Sequence, residues 1–288
     1  MTTKERVTEI ADYAQEWGVE QTAIDRNVKP DTVRSYISAS KKHAQSVIME
    51  DVPDHKKPVL IIPDLHAPYN HSQAIPFLKW VYEVRGCRKR VVGTGDIMDF
   101  HSMSRHVHET DASSPTLEYR KALEFTAEFC EAFPEGDLVL GNHDLIPQRQ
   151  MKEIGLPSSL LVSHNSLYGM SDGWKIHPLY HVIDPDGWDV LVEHGIGSGG
   201  KYGCANTAKE KRCSYVQGHT HSAAAVIYST NHESTIFGMN VGCLVDSDSL
   251  AMRYGKYGTR KGVLGCGVVY SGSHAEFVPM SSWPELNG

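Results

Sequence analysis

Hydrophobic positions at the start of the chain recur at helical spacing. Val7, Ile10, Ala11, Ala14 and Trp17 share one face of a helix that stops at Gly18. A short second helix over residues 20–25 follows. After the turn Asn27–Pro30, Asp31 is placed to cap a third helix that turns Val33, Ile37, Ala44, Val47 and Ile48 inward. The pattern changes at Asp51–Lys57, where Pro53 and Pro58 bracket a polar stretch that reads as a linker. Beyond it, short β-type runs alternate with helical ones. PVLIIP is a strand and IPFLKWVYEV a helix; RVVGTG is a strand, LEYRKALEFTAEFCEAF an amphipathic helix, and DLVLGN a strand. That order predicts a parallel sheet covered by helices. The later runs WKIHPLYHVI, WDVLVEHG, SYVQGHTH, AAAVIYST, STIFGMNVG and GVLGCGVVYS follow one another as strands, so a second sheet is expected to pack on the first. The expected architecture is α/β: two packed sheets in a β-sandwich flanked by helices over 58–282, preceded by a small all-α domain over 1–50 and a linker over 51–57.

Composition narrows the picture. The 288 residues suffice for one large and one small domain, and the net charge of −7 argues against broad passive adhesion to nucleic acid. The opening MTTKERVTEI has no apolar core of a secretory leader, and every long apolar run is broken by charge, so neither export nor a membrane span is expected. Six cysteines without a CxxC pair read as reduced thiols, which places the chain in the cytoplasm.

The helical head has the order of a helix-turn-helix unit, and VKPDTVRSYI resembles the opening of a recognition helix. Between Arg26 and Lys42 there are five Lys/Arg against one acid. Two readings stand side by side. In one, Arg34, Lys41 and Lys42, with Thr32, Ser35 and Ser38, face nucleic acid; in the other the three helices are a packing or assembly module.

The chemistry lies in five short motifs, each just after an apolar run: Asp64-Leu65-His66, Gly95-Asp96-Ile97-Met98-Asp99, Gly141-Asn142-His143-Asp144, Glu193-His194-Gly195 and Gly218-His219-Thr220-His221. Loops at strand C-termini converge on one rim of an open α/β sheet. Together and in this order, the motifs resemble the series found in calcineurin-like metallophosphoesterases, over roughly Val59 to Phe277. The resemblance implies two divalent transition-metal ions, manganese first, with iron, zinc or nickel as alternatives; a His/Asp/Asn set without thiolate suits these better than calcium. It implies that Asp64, His66, Asp96 and His221 hold the first ion, and Asp96, Asn142, His194 and His219 the second, with Asp96 bridging. It makes His143 the group that touches substrate and protonates the leaving oxygen. Asp144 directly follows and is expected to keep that imidazole charged. In His219-Thr220-His221 extended chain would send both imidazoles to one side, and a bend is expected to let them reach neighbouring ions.

The branch is read from departures. The Ser/Thr protein phosphatase branch carries arginines where this chain has Phe100 and Leu140, and a Glu where it has Asp144. Without those guanidinium clamps, the GNHD form looks like the phosphodiesterase and nuclease branches. A helix-turn-helix-like head on such an enzyme is similar to phosphoesterases carried in tailed-phage genomes. In the loop after the second motif, His101 and Arg105 are candidate substrate contacts, and Phe100 either stacks on a base or plugs the core. The loop Gly195–Lys201, with Tyr202 behind it, either cradles phosphate or is a plain crossover. The expected function is metal-dependent hydrolysis of phosphodiesters in nucleic acid or a nucleotide. The alternatives are a phosphomonoesterase, on a metabolite or a phosphoprotein, and a non-catalytic DNA-binding protein.

Overall fold

The computed structural model describes residues 3–39, 52–104, 114–200, 202–246 and 261–287. The chain divides into two compact units, Met1–Pro53 and Asp54–Gly288.

In the first unit, helices α1 (Thr3–Trp17), α2 (Val19–Asp25) and α3 (30–39) close over Ile10, Ala14, Ala23 and Val33, with Val19, Val28, Tyr36 and Ile37 packed against them. Two expectations need correction. Trp17 does not join the apolar face: at the end of α1 it is 56% exposed, beside Tyr13. Asp31 is not the cap of α3, because Val33 N–H already donates to Lys29 O and the helix begins at Pro30. Proline suits that first position, where its missing N–H has no intrahelical partner to lose. Asp31 instead pairs with Arg34, whose other nitrogen reaches Glu20 Oε1 at 3.0 Å. Two acids thus hold the guanidinium expected to face nucleic acid. Lys41, Lys42, Ala44, Val47 and Ile48 lie outside the described residues.

The second unit opens with a 3₁₀ turn at Asp54–Lys56. Asp54 accepts from Lys89 N–H, so these residues of the expected linker are bound to the body. The first sheet has the order β11-β10-β1-β2-β3-β4. Here β1 (Val59–Ile62), β2 (Val91–Gly93), β3 (Gly136–Val139) and β4 (Trp174–His177) run parallel, while β10 (Gly265–Ser271) and β11 (His274–Pro279) are antiparallel additions at one edge. The second sheet has the order β5-β6-β7-β9-β8. In it β6 (Val190–Glu193), β7 (Ser214–Gln217) and β9 (Thr235–Val241) are parallel, flanked by antiparallel β5 (Tyr180–Ile183) and β8 (Ala224–Thr230). Within the single run WKIHPLYHVI the chain leaves one sheet at His177 and enters the other at Tyr180, with Pro178 between them; proline cannot donate to a ladder.

The unbroken apolar run of β1 is explained by burial on both faces. Val59 and Ile61 meet Val192, Val216, Phe237 and Met239 of the second sheet. Leu60 and Ile62 turn the other way into a core shared with Phe77, Leu78 and Val81 of α4 (Ala74–Arg85) and with Ala122 and Phe129 of α5 (Pro115–Ala132). On the far face of the second sheet, Cys204 and Ala208 of a later helix (Gly203–Lys211) cover Tyr215. The order of layers is helix, sheet, sheet, helix, as expected. Short helices at Ile146–Glu153 and His164–Tyr168, α6 and α7, make the Gly203–Lys211 helix α8. Among the described residues no helix is long and apolar enough to cross a membrane.

Helix α8 approaches β9 closely because Gly238 has no side chain: a Cβ there would stand 2.4 Å from the Cys204 carbonyl group. Backbone cannot step aside as a flexible side chain can. Gly238→Ala is therefore expected to destabilise the protein by about 1–3 kcal/mol in urea unfolding; an unchanged midpoint would show that α8 is free to shift.

Candidate metal centre

The parallel strands of each sheet end at the same edge, and every motif sits in the loop just past one of them. Asp64 follows β1, Asp96 follows β2, Asn142 follows β3, His194 follows β6, and His219 and His221 follow β7. The glycines beside them permit close approach. A Cβ on Gly141 would lie 2.1 Å from Asp96 Oδ1, and one on Gly218 would lie 2.1 Å from Asp64 Oδ1. His66, Asp96 and His219 hold left-handed backbone, with φ of 51°, 50° and 62°. Non-glycine residues adopt that region at a cost, and such strain gathers at functional sites. His219 thus sits in a bend of the backbone and not in extended chain.

Three carboxylates and a set of imidazoles converge here; Asp64, Asp96, Asp99, His66 and His194 are buried, while His143, His219 and His221 stay partly open to solvent. Asp64, His66 and His221 present ligand atoms within 4.8 Å of one another, and so do Asp96, His194 and His219. Asn142 Oδ1 lies 3.0 Å from His194 Nε2. Asp96 stands between the two groups: its Oδ2 is 3.5 Å from His66 Nε2 and 3.2 Å from His194 Nε2. Its other oxygen accepts from His143 N–H at 2.8 Å. All seven residues expected as ligands are brought together.

The hydrogen bonds decide whether a cation fits. His194 Nδ1 faces the Thr94 carbonyl at 2.9 Å and His66 Nδ1 faces Asp99 Oδ1 at 2.5 Å. Carbonyls and carboxylates only accept, so each Nδ1 carries the hydrogen and each Nε2 presents a lone pair. Those lone pairs point at further acceptors, the Asp96 and Asn142 oxygens, and His66 Nε2 lies 3.2 Å from His221 Nε2. Buried acceptors facing one another need positive charge between them. The negative charge here draws a cation of either kind: burial disfavours the His194 imidazolium, but Asp96 outweighs it and the pKa is pushed up to about 10, so with no metal bound a second proton on Nε2 takes the place that an ion would fill. Each group therefore fits a divalent ion held by nitrogen and oxygen.

Asp99 is the residue that sequence reasoning left out of the site. Fully buried, it binds His66 through Oδ1, and the same oxygen is 3.0 Å from His143 Nδ1. His143 Nδ1 also donates to the Asp99 carbonyl at 2.7 Å, which leaves Nε2 for a substrate. Burial opposes a charged His143, but the Asp99 hydrogen bond and the Asp96 charge prevail, and its pKa rises to about 9. The signal was present in the second aspartate of Gly95–Asp99.

The expectation for Asp144 is corrected. It is not the carboxylate against His143. Its Oδ2 accepts from Asp96 N–H at 2.7 Å and Gly141 N–H at 2.9 Å, and its Oδ1 from Ile97 N–H at 3.0 Å and Met98 N–H at 3.3 Å. Burial and the Asp96 charge raise its pKa, against the four donors that favour its anion. His101 is buried edge-on to Tyr69 and belongs to neither ligand group. Phe100 is a core residue, stacked 6.2 Å from Tyr119. Arg105 and Lys201 lie outside the described residues. The glycine-rich loop is tied down by Gln217 Nε2 donating to Ser198 O and by Ser198 Oγ on Thr207, while Tyr202 is exposed.

No family model and no curated protein matches the chain. Among solved structures, the crystal structure of wild-type Vps29 from Entamoeba histolytica complexed with Zn²⁺ is similar at 13% identity, covering 77% of this chain and 99% of that one. The TM-score is 0.38, and at that value the likeness carries no weight beyond the geometry above.

Asp99→Asn keeps the shape but weakens the acceptor that fixes the His66 tautomer. Affinity for Mn²⁺ or Zn²⁺ in calorimetry is expected to fall about 10–100-fold; an unchanged affinity would remove Asp99 from the site.

Proposed function

We propose that the second unit is a metal-dependent phosphoric ester hydrolase of the calcineurin-like type, acting on phosphodiesters of nucleic acid or nucleotides. The observation that carries this reading is the position of Asp96, whose one oxygen faces an imidazole of each ligand group. In it, Asp64, His66, Asp96 and His221 hold one ion, and Asp96, Asn142, His194 and His219 the other. Manganese is favoured, with iron, zinc or nickel as alternatives. When bound, such a pair neutralises phosphoryl oxygens and supplies an acidified water for attack at neutral pH.

The chain's own residues do the rest. Attack by water forms a new P–O bond, its proton passing to solvent, and the ester P–O bond breaks, its electron pair passing to the leaving oxygen. That oxygen takes a proton from His143 Nε2, while Asp99 holds Nδ1 and the ring's orientation. The preference for diesters rests on Phe100 and Leu140, both buried and apolar where guanidinium clamps for a monoester dianion would stand. Delivery to nucleic acid by the first unit remains a separate proposal, for which Arg34 supplies no free charge.

Purified wild-type protein is expected to take up about two divalent ions per chain and to hydrolyse bis(p-nitrophenyl) phosphate faster than p-nitrophenyl phosphate. Asp96→Asn should lower metal occupancy and nearly abolish turnover; no uptake under any loading condition would sink the two-ion reading, and the opposite substrate order would favour a phosphomonoesterase.

His143→Ala should keep its metal but cleave a substrate with a poor alkoxide leaving group about 10²–10⁴-fold more slowly. The loss should be far smaller with nitrophenolate, which departs without a proton. Equal losses on both substrates would mean that His143 is not the acid.

A further inference from the structure

Beside His143 lies a cavity of about 300 Å³, lined by Ser104, Asn142, His143, Arg149, Gln150 and Glu153 among others. Of the seven proposed ligands only Asn142 reaches its wall, so a group inside it sits on the His143 side of the site. That is the side on which the leaving oxygen takes its proton. Arg149 comes from α6, which starts just after the Gly141–Asp144 motif and whose first N–H, that of Ile146, donates to the His143 carbonyl. Its guanidinium makes one hydrogen bond, from an Nη to the Asn142 carbonyl at 2.5 Å. Among the described residues no carboxylate pairs with it, in contrast to Arg34, Arg85 and Arg90, which are each bound by acids. A guanidinium carries five N–H donors in a fork that fits phosphate, and here four of them remain.

We propose that this cavity receives the leaving group, and that Arg149 selects leaving groups bearing a phosphate of their own. The inference rests on the phosphodiesterase reading and sharpens it. The preferred substrate is a phosphodiester with a second phosphate beyond the scissile bond, as in a polynucleotide backbone or a pyrophosphate-linked nucleotide. Esters with a neutral leaving group would occupy the same place without a partner for the charge.

Two measurements on the full-length, Mn²⁺-loaded protein test it. The first compares kcat/KM for the dinucleotides TpT, pTpT and TpTp; the two end-phosphorylated forms cover both directions of cleavage. One of them should exceed TpT by about 10–100-fold, as expected for a charge-assisted hydrogen-bonded pair. Most of that ratio should vanish in Arg149→Gln, which keeps a donor for the Asn142 carbonyl but loses the charge. The second is equilibrium binding of thymidine 3′,5′-bisphosphate, thymidine 5′-monophosphate and ADP. An Arg149-dependent margin over the monophosphate supports the inference: for the bisphosphate it assigns a polynucleotide backbone, for ADP a pyrophosphate linkage. Equal ratios in wild type and variant, or no margin in wild type, overturn it. So does loss of metal from Arg149→Gln, which would make the residue a support for Asn142. If the wild type cleaves no phosphodiester at all, the proposed function falls, while the binding margin still decides whether Arg149 recognises a second phosphate.

Discussion

The carboxylate of Asp144 is the point on which the site's geometry turns. It gathers N–H groups from Asp96, Ile97 and Met98, in the loop after β2, and from Gly141, in the loop after β3. None of these four N–H groups is taken up by a neighbouring strand among the described residues, and a buried unpaired N–H costs about 1–3 kcal/mol. One side chain meets four such needs and clamps two strand ends together. Asp96 is thereby set in left-handed backbone with its carboxylate between the imidazoles of His66 and His194. The glycine at 141 is part of the same arrangement, because any side chain there would occupy the place of the Asp96 carboxylate.

Around that clamp the two sheets act as a rigid frame. Their facing sides interdigitate through Val59, Ile61, Val92 and Val139 on one side and Val190, Val192, Val216 and Met239 on the other. The rim where β1, β2 and β3 end is thereby fixed beside the rim where β6 and β7 end. His194, His219 and His221 come from the second sheet and Asp64, His66, Asp96 and Asn142 from the first. Each ligand group draws on both sheets, so the cluster exists only where the sandwich is closed.

How much of this was legible in the sequence depended on whether backbone or side-chain direction carried the information. Strand ends were legible, because a run such as VLII stops at a proline and an aspartate, and the motifs therefore announced which residues would share a rim. The layers were legible for the same reason. Side-chain direction was not. His143 and Asp144 are neighbours in the chain, yet one faces the cavity and the other faces backward into backbone, so adjacency suggested a partnership that Asp99 holds instead. Arg34 looked like surplus charge because Glu20 is fourteen positions away and only the packing of α2 on α3 brings it near. Asp31 looked like a cap because aspartate favours that role, but the proline before it had already begun the helix.

The shared grip of Asp99 on His66 and His143 has a bearing on how such a chain can vary. One oxygen touches a residue of the first ligand group and the residue proposed to donate the proton. Drift at position 99 would therefore be paid twice, and a substitution that improved one histidine's setting would disturb the other's. Descent should leave Asp99, His66 and His143 changing as a block or not at all, while Arg149, one turn into α6 and exposed, carries no such double tie.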